Sequence, residues 1–137
     1  MNYTLLKTMT LSLGLCSTIQ VEAKKHTNFI IILMDDMGYG DIRSNGAIGY
    51  PTPNLDKMIN NGMQFTHFYA PQAVSGASRA GLLTGCYPNR IGLTGAPFPG
   101  ARYGLHPDEM TIAEILKQKG YTCGAFGKWH IGELPQF

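Results

Sequence analysis

Charge is scarce in this chain and nearly cancels: 11 lysines and arginines stand against 9 carboxylates, a formal net charge of +2. A partner held through its phosphates needs a basic surface, and no Lys/Arg run appears beyond the pair Lys24-Lys25. Nucleic acid is therefore not an expected partner. The mostly apolar stretch Met9 to Ile19 is too short for a bilayer, so no stable membrane span is expected. Cysteine is sparse too, and Cys16, Cys86 and Cys123 form no Cys-x-x-Cys pair of the kind that holds zinc. Internal repeats and low-complexity tracts are missing. What remains is the composition of a globular domain, 44% hydrophobic and 15% charged in 137 residues, enough for one modest core. Its 17 glycines and 8 prolines fall mainly between residues 38 and 107, which implies long, shaped loops of the kind that bind or catalyse.

Residues 1–23 read as an export signal: Lys7 in the n-region, the apolar stretch to Ile19, and Val21-Glu22-Ala23 as a cleavage site. Cleavage after Ala23 is expected to leave residues 24–137 as an exported protein, periplasmic or secreted. Cys16 offers a lipoprotein alternative, disfavoured by Leu15 just before it. Cys86 and Cys123 would remain, either paired or as free thiols.

Asn28 to Met34 is an apolar run without polar alternation, suited to a strand buried on both faces of a parallel sheet. It ends in Asp35-Asp36, two adjacent carboxylates that repel each other unless a cation neutralises them. Thr52-Pro53 predicts a helix start, with a run to about Asn61 and a stop at Gly62. Met63 to Tyr69 reads as a second strand. Thr111 to Glu114 is a capping box opening a helix from Ile112 to Lys119, stopped by Gly120. Tyr121 to Phe126 reads as a third strand, followed by Gly127-Lys128-Trp129-His130. Each expected strand thus leads into a polar cluster, and in a parallel α/β sheet all three clusters face one edge.

The middle cluster is Ser75 to Arg79, within Ser75-Gly76-Ala77-Ser78-Arg79-Ala80-Gly81-Leu82-Leu83-Thr84-Gly85. By itself it describes a helix opened by serine and closed by a C′ glycine. It also places a hydroxyl at the positive end of a helix, an arginine one turn later, which suits attack on an anionic ester.

These clusters, in this order, resemble the N-terminal part of the sulfatase family, within the alkaline-phosphatase-like superfamily. Ser75, Ala77, Arg79 and Leu83-Thr84-Gly85 resemble the family signature. Asp35-Asp36 with Gly38, Gly40 and Asp41 resembles its first metal-binding loop, Thr52 to Asp56 its next helix, and Gly127 to Gly132 its lysine-histidine segment. The resemblance covers roughly residues 28 to 132. It implies an α/β fold, a mostly parallel sheet flanked by helices, and hydrolysis of a sulfate ester to an alcohol and inorganic sulfate.

Under that resemblance Ser75 is oxidised to formylglycine, and one hydroxyl of the hydrated aldehyde takes the sulfuryl group while the other is deprotonated to expel sulfate. Asp35, Asp36 and the modified Ser75 would hold one calcium ion. Arg79 would steady the nucleophile, and Lys128 and His130 would contact it or the sulfate oxygens, with His130 taking a proton. A formylglycine-generating enzyme, of the oxygen-independent type that matures serine, and the export machinery are the implied partners. Trp129 reads as packing, His67 as structural, His26 and His106 as loop residues, Asp41 as a ligand of loop amides, and Cys86 as having no catalytic role. Related enzymes are much longer, so residues 24–137 are expected to be a truncated N-terminal portion of the catalytic domain, inactive alone. A phosphatase or phosphonate hydrolase of the same superfamily, or a non-catalytic metal-binding remnant, are the alternatives. A sulfated glycan is the substrate suggested by analogy.

Overall fold

The structure, a computed structural model, describes residues 27–137. The export signal, its cleavage site, Cys16 and His26 lie outside the described residues. The chain divides into two units, Met1–Leu33 and Met34–Phe137. In the described part of the first, residues 27–33 form no helix or strand, and Phe29, Ile30, Ile31, Ile32 and Leu33 are all exposed.

The second unit contains two 3-10 turns, Tyr39–Asp41 and Arg43–Asn45, and three helices, α1 (Pro53–Asn61), α2 (Ser75–Thr84) and α3 (Ile112–Lys117). Local signals set the helix limits. Thr52 is the N-cap residue of α1, Pro53 its first helical residue and Gly62 its C-cap. The Thr52 hydroxyl makes no cap bond; it accepts from Arg43 N–H (2.9 Å) and donates to Asp56 (3.1 Å). Asp56 also accepts from Ser44 N–H and Oγ, at 3.1 and 2.6 Å, which pins the second 3-10 turn to α1. Those Ser44 bonds lower the Asp56 pKa. Asp41 accepts from Gly38 N–H at 2.6 Å, a loop-amide ligand as the sequence suggests.

In α3 the capping box closes in both directions: Glu114 N–H to Thr111 Oγ1 at 3.4 Å, and Thr111 N–H to Glu114 Oε2 at 2.7 Å. Its regular part ends at Lys117, two residues before the expected limit, and a turn carries the chain to Gly120 at φ 83°.

The core is small and centres on α2. Ala77, Ala80 and Leu93 are fully buried, Leu105 nearly so, and Pro88 and Pro97 are enclosed with them. Gly76, Ala77, Ala80 and Gly81 form a stripe of small residues along one face of the helix, and the loops pass directly over it. A Cβ on Gly76 would lie 2.6 Å from the Gly95 carbonyl, 2.7 Å from Pro97 Cδ and 2.9 Å from the His130 carbonyl. Gly76→Ala is therefore expected to destabilise the protein by about 2 kcal/mol or more, since two of those three neighbours are backbone. Thermal unfolding checks this, and a variant that melts with the wild type would contradict the close approach. Farther on, Leu105 N–H donates to the Ile131 carbonyl at 2.6 Å, joining the loop before α3 to the C-terminal stretch.

The three expected strands are a correction: among the described residues there is no strand. Met63 to Tyr69 is broken by a turn at Thr66-His67, where Thr66 Oγ1 meets His67 Nδ1 at 3.0 Å. Tyr121 to Phe126 runs without a ladder. The side chains meant for burial lie in solvent, with Phe68 79% and Phe126 97% exposed. A strand built for two-sided burial owes its stability to neighbouring strands and to the layers covering it, and none of these is supplied among the described residues. Nor is any helix among them long and apolar enough to cross a membrane.

Candidate active site

Four of the six side chains singled out by the sequence meet at one point. Ser75 is the first residue of α2, preceded by an extended Val74. Its hydroxyl therefore sits beside first-turn amides that have no acceptor within the helix, where the field is positive. Asp35 arrives on a turn whose next residue, Asp36, is left-handed at φ 55°. Ser75 Oγ donates to Asp35 Oδ1 at 3.2 Å, and Lys128 Nζ donates to Ser75 Oγ at 3.0 Å. Lys128 Nζ also reaches Asp35 Oδ2 at 2.7 Å.

Arg79 joins from beneath. One turn along α2, its Nη2 donates to Asp35 Oδ1 at 3.0 Å and its Nη1 to the Lys128 carbonyl at 2.6 Å. Its side chain is 10% exposed, against 39% for Asp35 and 43% for Lys128, so the arginine forms the floor and the other two border solvent. The Lys128 ammonium, then the Arg79 guanidinium and more weakly the Ser75 hydroxyl, pull the Asp35 carboxyl down from 3.8 to about 2, against a smaller opposing effect of desolvation. Asp35 is thus an anion at any ordinary pH. Its negative charge holds together an arrangement in which an ammonium and a carboxylate flank one hydroxyl. In such an arrangement the carboxylate orients the hydroxyl through an accepted hydrogen bond while the ammonium favours negative charge on its oxygen.

His130 and Asp36 are placed differently. His130 has a left-handed backbone, φ 55°, and its ring packs T-shaped against Phe98 with centroids 6.3 Å apart. Its Nδ1 is enclosed without a hydrogen-bond partner, as is Arg79 Nε. Neither His130 nor Asp36 bonds to Ser75, Asp35 or Lys128.

Asp35, Asp36 and Ser75 Oγ are hard oxygen donors, suited to calcium or magnesium. Among the described residues no three acids, histidines or cysteines gather into a metal cluster. By donor chemistry alone Asp35, Asp36 and Ser75 Oγ could supply at most part of a calcium shell, whose usual count is about six to eight oxygens. Both Asp35 oxygens already accept from Lys128 or Arg79, so a cation taking Asp35 competes with the lysine.

Sequence reasoning missed the close approach at Gly76 and the placement of Pro97 and Phe98, although it marked the Gly/Pro-rich loop that carries the latter two as shaped. Only the fold shows that this loop crosses the start of α2. Cys86 and Cys123 are free thiols; Cys123 Sγ lies 3.5 Å from the Ala113 carbonyl.

The family model described as Sulfatase matches residues 27–137. The chain is 44% identical over 128 residues to arylsulfatase A of Bos taurus, covering 93% of this chain and 25% of that protein. It is 42% identical over 109 residues to the N-acetylgalactosamine-6-O-sulfatase of Bacteroides thetaiotaomicron, covering 80% and 21%. Among solved structures, Ps i-CgsB in complex with k-i-k-neocarrahexaose superposes with a TM-score of 0.68 at 40% identity, over 74% of this chain and 23% of that one. The chain thus spans about a quarter or less of the length of these relatives. With the signature serine and arginine on one helix, and the aspartate and lysine gathered against them, the chain belongs to the sulfatase family.

Proposed function

We propose that this chain carries the nucleophile half of a sulfuric ester hydrolase site, acting on a sulfate ester of a glycan in an exported, periplasmic or secreted protein. The observation that carries the reading is the convergence of Asp35 and Lys128 on the Ser75 oxygen, within 3.2 Å, from positions far apart in sequence. The complete fold would be the alkaline-phosphatase-like α/β sheet, in which the three apolar runs become strands. Relatives named for N-acetylgalactosamine sulfate and a neighbour solved with a neocarrahexaose support the glycan class.

In this reading Ser75 is oxidised to formylglycine, losing two hydrogens to the maturation enzyme, and its hydrate supplies a hydroxyl that accepts the sulfuryl group and a second that releases it. The chain's own residues set the stage. α2 directs position 75 along its positive end, Lys128 stabilises negative charge on the oxygen at that position, and Asp35 accepts a hydrogen bond from it and so orients it. Arg79 fixes both partners from below, and the His130 imidazole is the proton acceptor for release of sulfate. Asp35 and Asp36 would hold calcium, which draws charge from the sulfate oxygens.

Mass spectrometry tests the central step. Co-expressed with an anaerobic formylglycine-generating enzyme, the peptide containing residue 75 is expected about 2 Da lighter than the serine form, the two hydrogens lost on oxidation. An unshifted peptide under conditions that mature a control sulfatase would overturn the assignment of Ser75.

A further inference from the structure

Asparagine is followed directly by glycine twice in the chain, at Asn45-Gly46 and Asn61-Gly62. Such a pair is reactive because glycine has no Cβ to keep its backbone nitrogen away from the preceding side-chain amide. The fold treats the two pairs in opposite ways. Asn45 is clamped at both ends of its amide: Nδ2 donates to the Tyr39 carbonyl at 2.8 Å, and Oδ1 accepts from Gln64 Nε2 at 2.6 Å. Gly46 N–H is held as well, on the Arg43 carbonyl at 2.9 Å. Asn61 is the last residue of α1, it is exposed, and its side chain meets no hydrogen-bond partner among the described residues. Gly62 N–H reaches only the Ile59 carbonyl, at 3.4 Å, a long and weak bond. No Cβ fits at position 62 either, since one would lie 2.9 Å from the Met58 carbonyl.

We infer that Asn61 is a site of spontaneous deamidation, independent of the chemistry at Ser75, and that the same fold protects Asn45. The reactants are the chain itself and water. The Gly62 nitrogen, on losing its proton, attacks Asn61 Cγ. The new N–C bond forms, the Cγ–Nδ2 bond breaks, and that nitrogen departs with the proton as ammonia. Water then opens the five-membered imide. Breaking it at Cγ gives aspartate, and breaking it at the main-chain carbonyl carbon gives isoaspartate, with no oxidant or reductant consumed. The last turn of α1 opens at little cost, and nothing anchors the leaving amide. At Asn45 two side-chain bonds and the Gly46 bond must break before nitrogen and carbon can meet. The product sets a carboxylate at the negative end of α1, where the helix dipole opposes it.

The full chain, kept in mildly alkaline buffer either native or in guanidinium chloride, is followed by peptide mass spectrometry with fragmentation that separates aspartate from isoaspartate. In the native chain the peptide containing residue 61 is expected to gain about 1 Da, as the amide becomes an acid. Its rate should exceed that at residue 45 by at least about tenfold, the effect of two or more hydrogen bonds that must break first. In guanidinium chloride, where only the dipeptide chemistry remains, the two sites should convert at comparable rates. Gln64→Ala removes one clamp from Asn45 at an exposed position, so it should speed conversion there and leave residue 61 unchanged. Equal native rates at the two sites would overturn the inference, as would a preference that persists in denaturant or a Gln64→Ala chain in which Asn45 stays as slow. A residue 61 that remains an amide while the denatured chain converts would show that α1 protects its last residue, and would overturn it too.

Discussion

Under the proposed sulfatase reading, Asp35→Asn is expected to abolish turnover by a complete site built on this half and to weaken calcium binding at the proposed position by at least about a hundredfold, more than the effect of losing an outer-shell partner. The carboxylate accepts from Ser75, Arg79 and Lys128 together, two of them cations. An amide of the same shape has one acceptor oxygen and presents N–H groups on its other side, so Lys128 would face a donor. Acid stability gives an independent measure. The Asp35 pKa is lowered to about 2 in the folded chain from 3.8, so its stabilisation is present in full above about pH 4 and fades as pH falls through 2. Asp56 and Glu114 are lowered as well, by Ser44 and by Thr111, and act in the same direction. Thermal melts at pH 7, 4 and 2.5 should therefore converge for wild type and Asp35→Asn as the pH drops, while both still lose the share due to Asp56 and Glu114. A gap between the two proteins that stayed constant down to pH 2.5 would show that Asp35 does not hold its partners through charge.

What could be read from the sequence was what nearby residues determine. Thr52, Pro53 and Gly62 bracket α1, and Gly85 at φ 70° closes α2, because caps and breakers act within one turn. The Thr111-Glu114 box set the start of α3 for the same reason. The gathering of four of the six candidate residues could be anticipated for a different reason: the family resemblance supplied the association of residues 35, 75, 79 and 128 that no local rule contains. Contacts over a distance stayed hidden. Ser44 and Asp56 look like ordinary polar surface until the fold joins them, and Gly76 looks like any helix glycine until three segments cross it. The expected strands fail for the same underlying reason, since a run such as Asn28 to Met34 carries the composition for a strand but not the neighbours that make one.

Arg79 shows most directly how the long-range contacts serve the site. Its Nη1 bond fixes the Lys128 carbonyl, and through it the segment whose ammonium reaches Ser75, while its Nη2 bond fixes the carboxylate opposite. Arg79→Ala is expected to leave that carbonyl unpaired and to open a void beneath Asp35, destabilising the chain by about 2 kcal/mol. Under the proposed sulfatase reading, turnover by a complete site built on this half should fall by about 10²- to 10³-fold, the usual effect of losing one fixed donor at a developing oxyanion. Arg79→Lys separates charge from shape. A lysine keeps the positive charge but is a single point without the planar fork, so it can satisfy Asp35 or the Lys128 carbonyl and not both in one geometry. The lysine variant should thus recover most of the stability and little of the turnover. If it instead restores turnover to near the wild-type level, then the positive charge beneath Asp35 suffices, and the fork that ties the helix to the lysine segment is not what aligns the nucleophile.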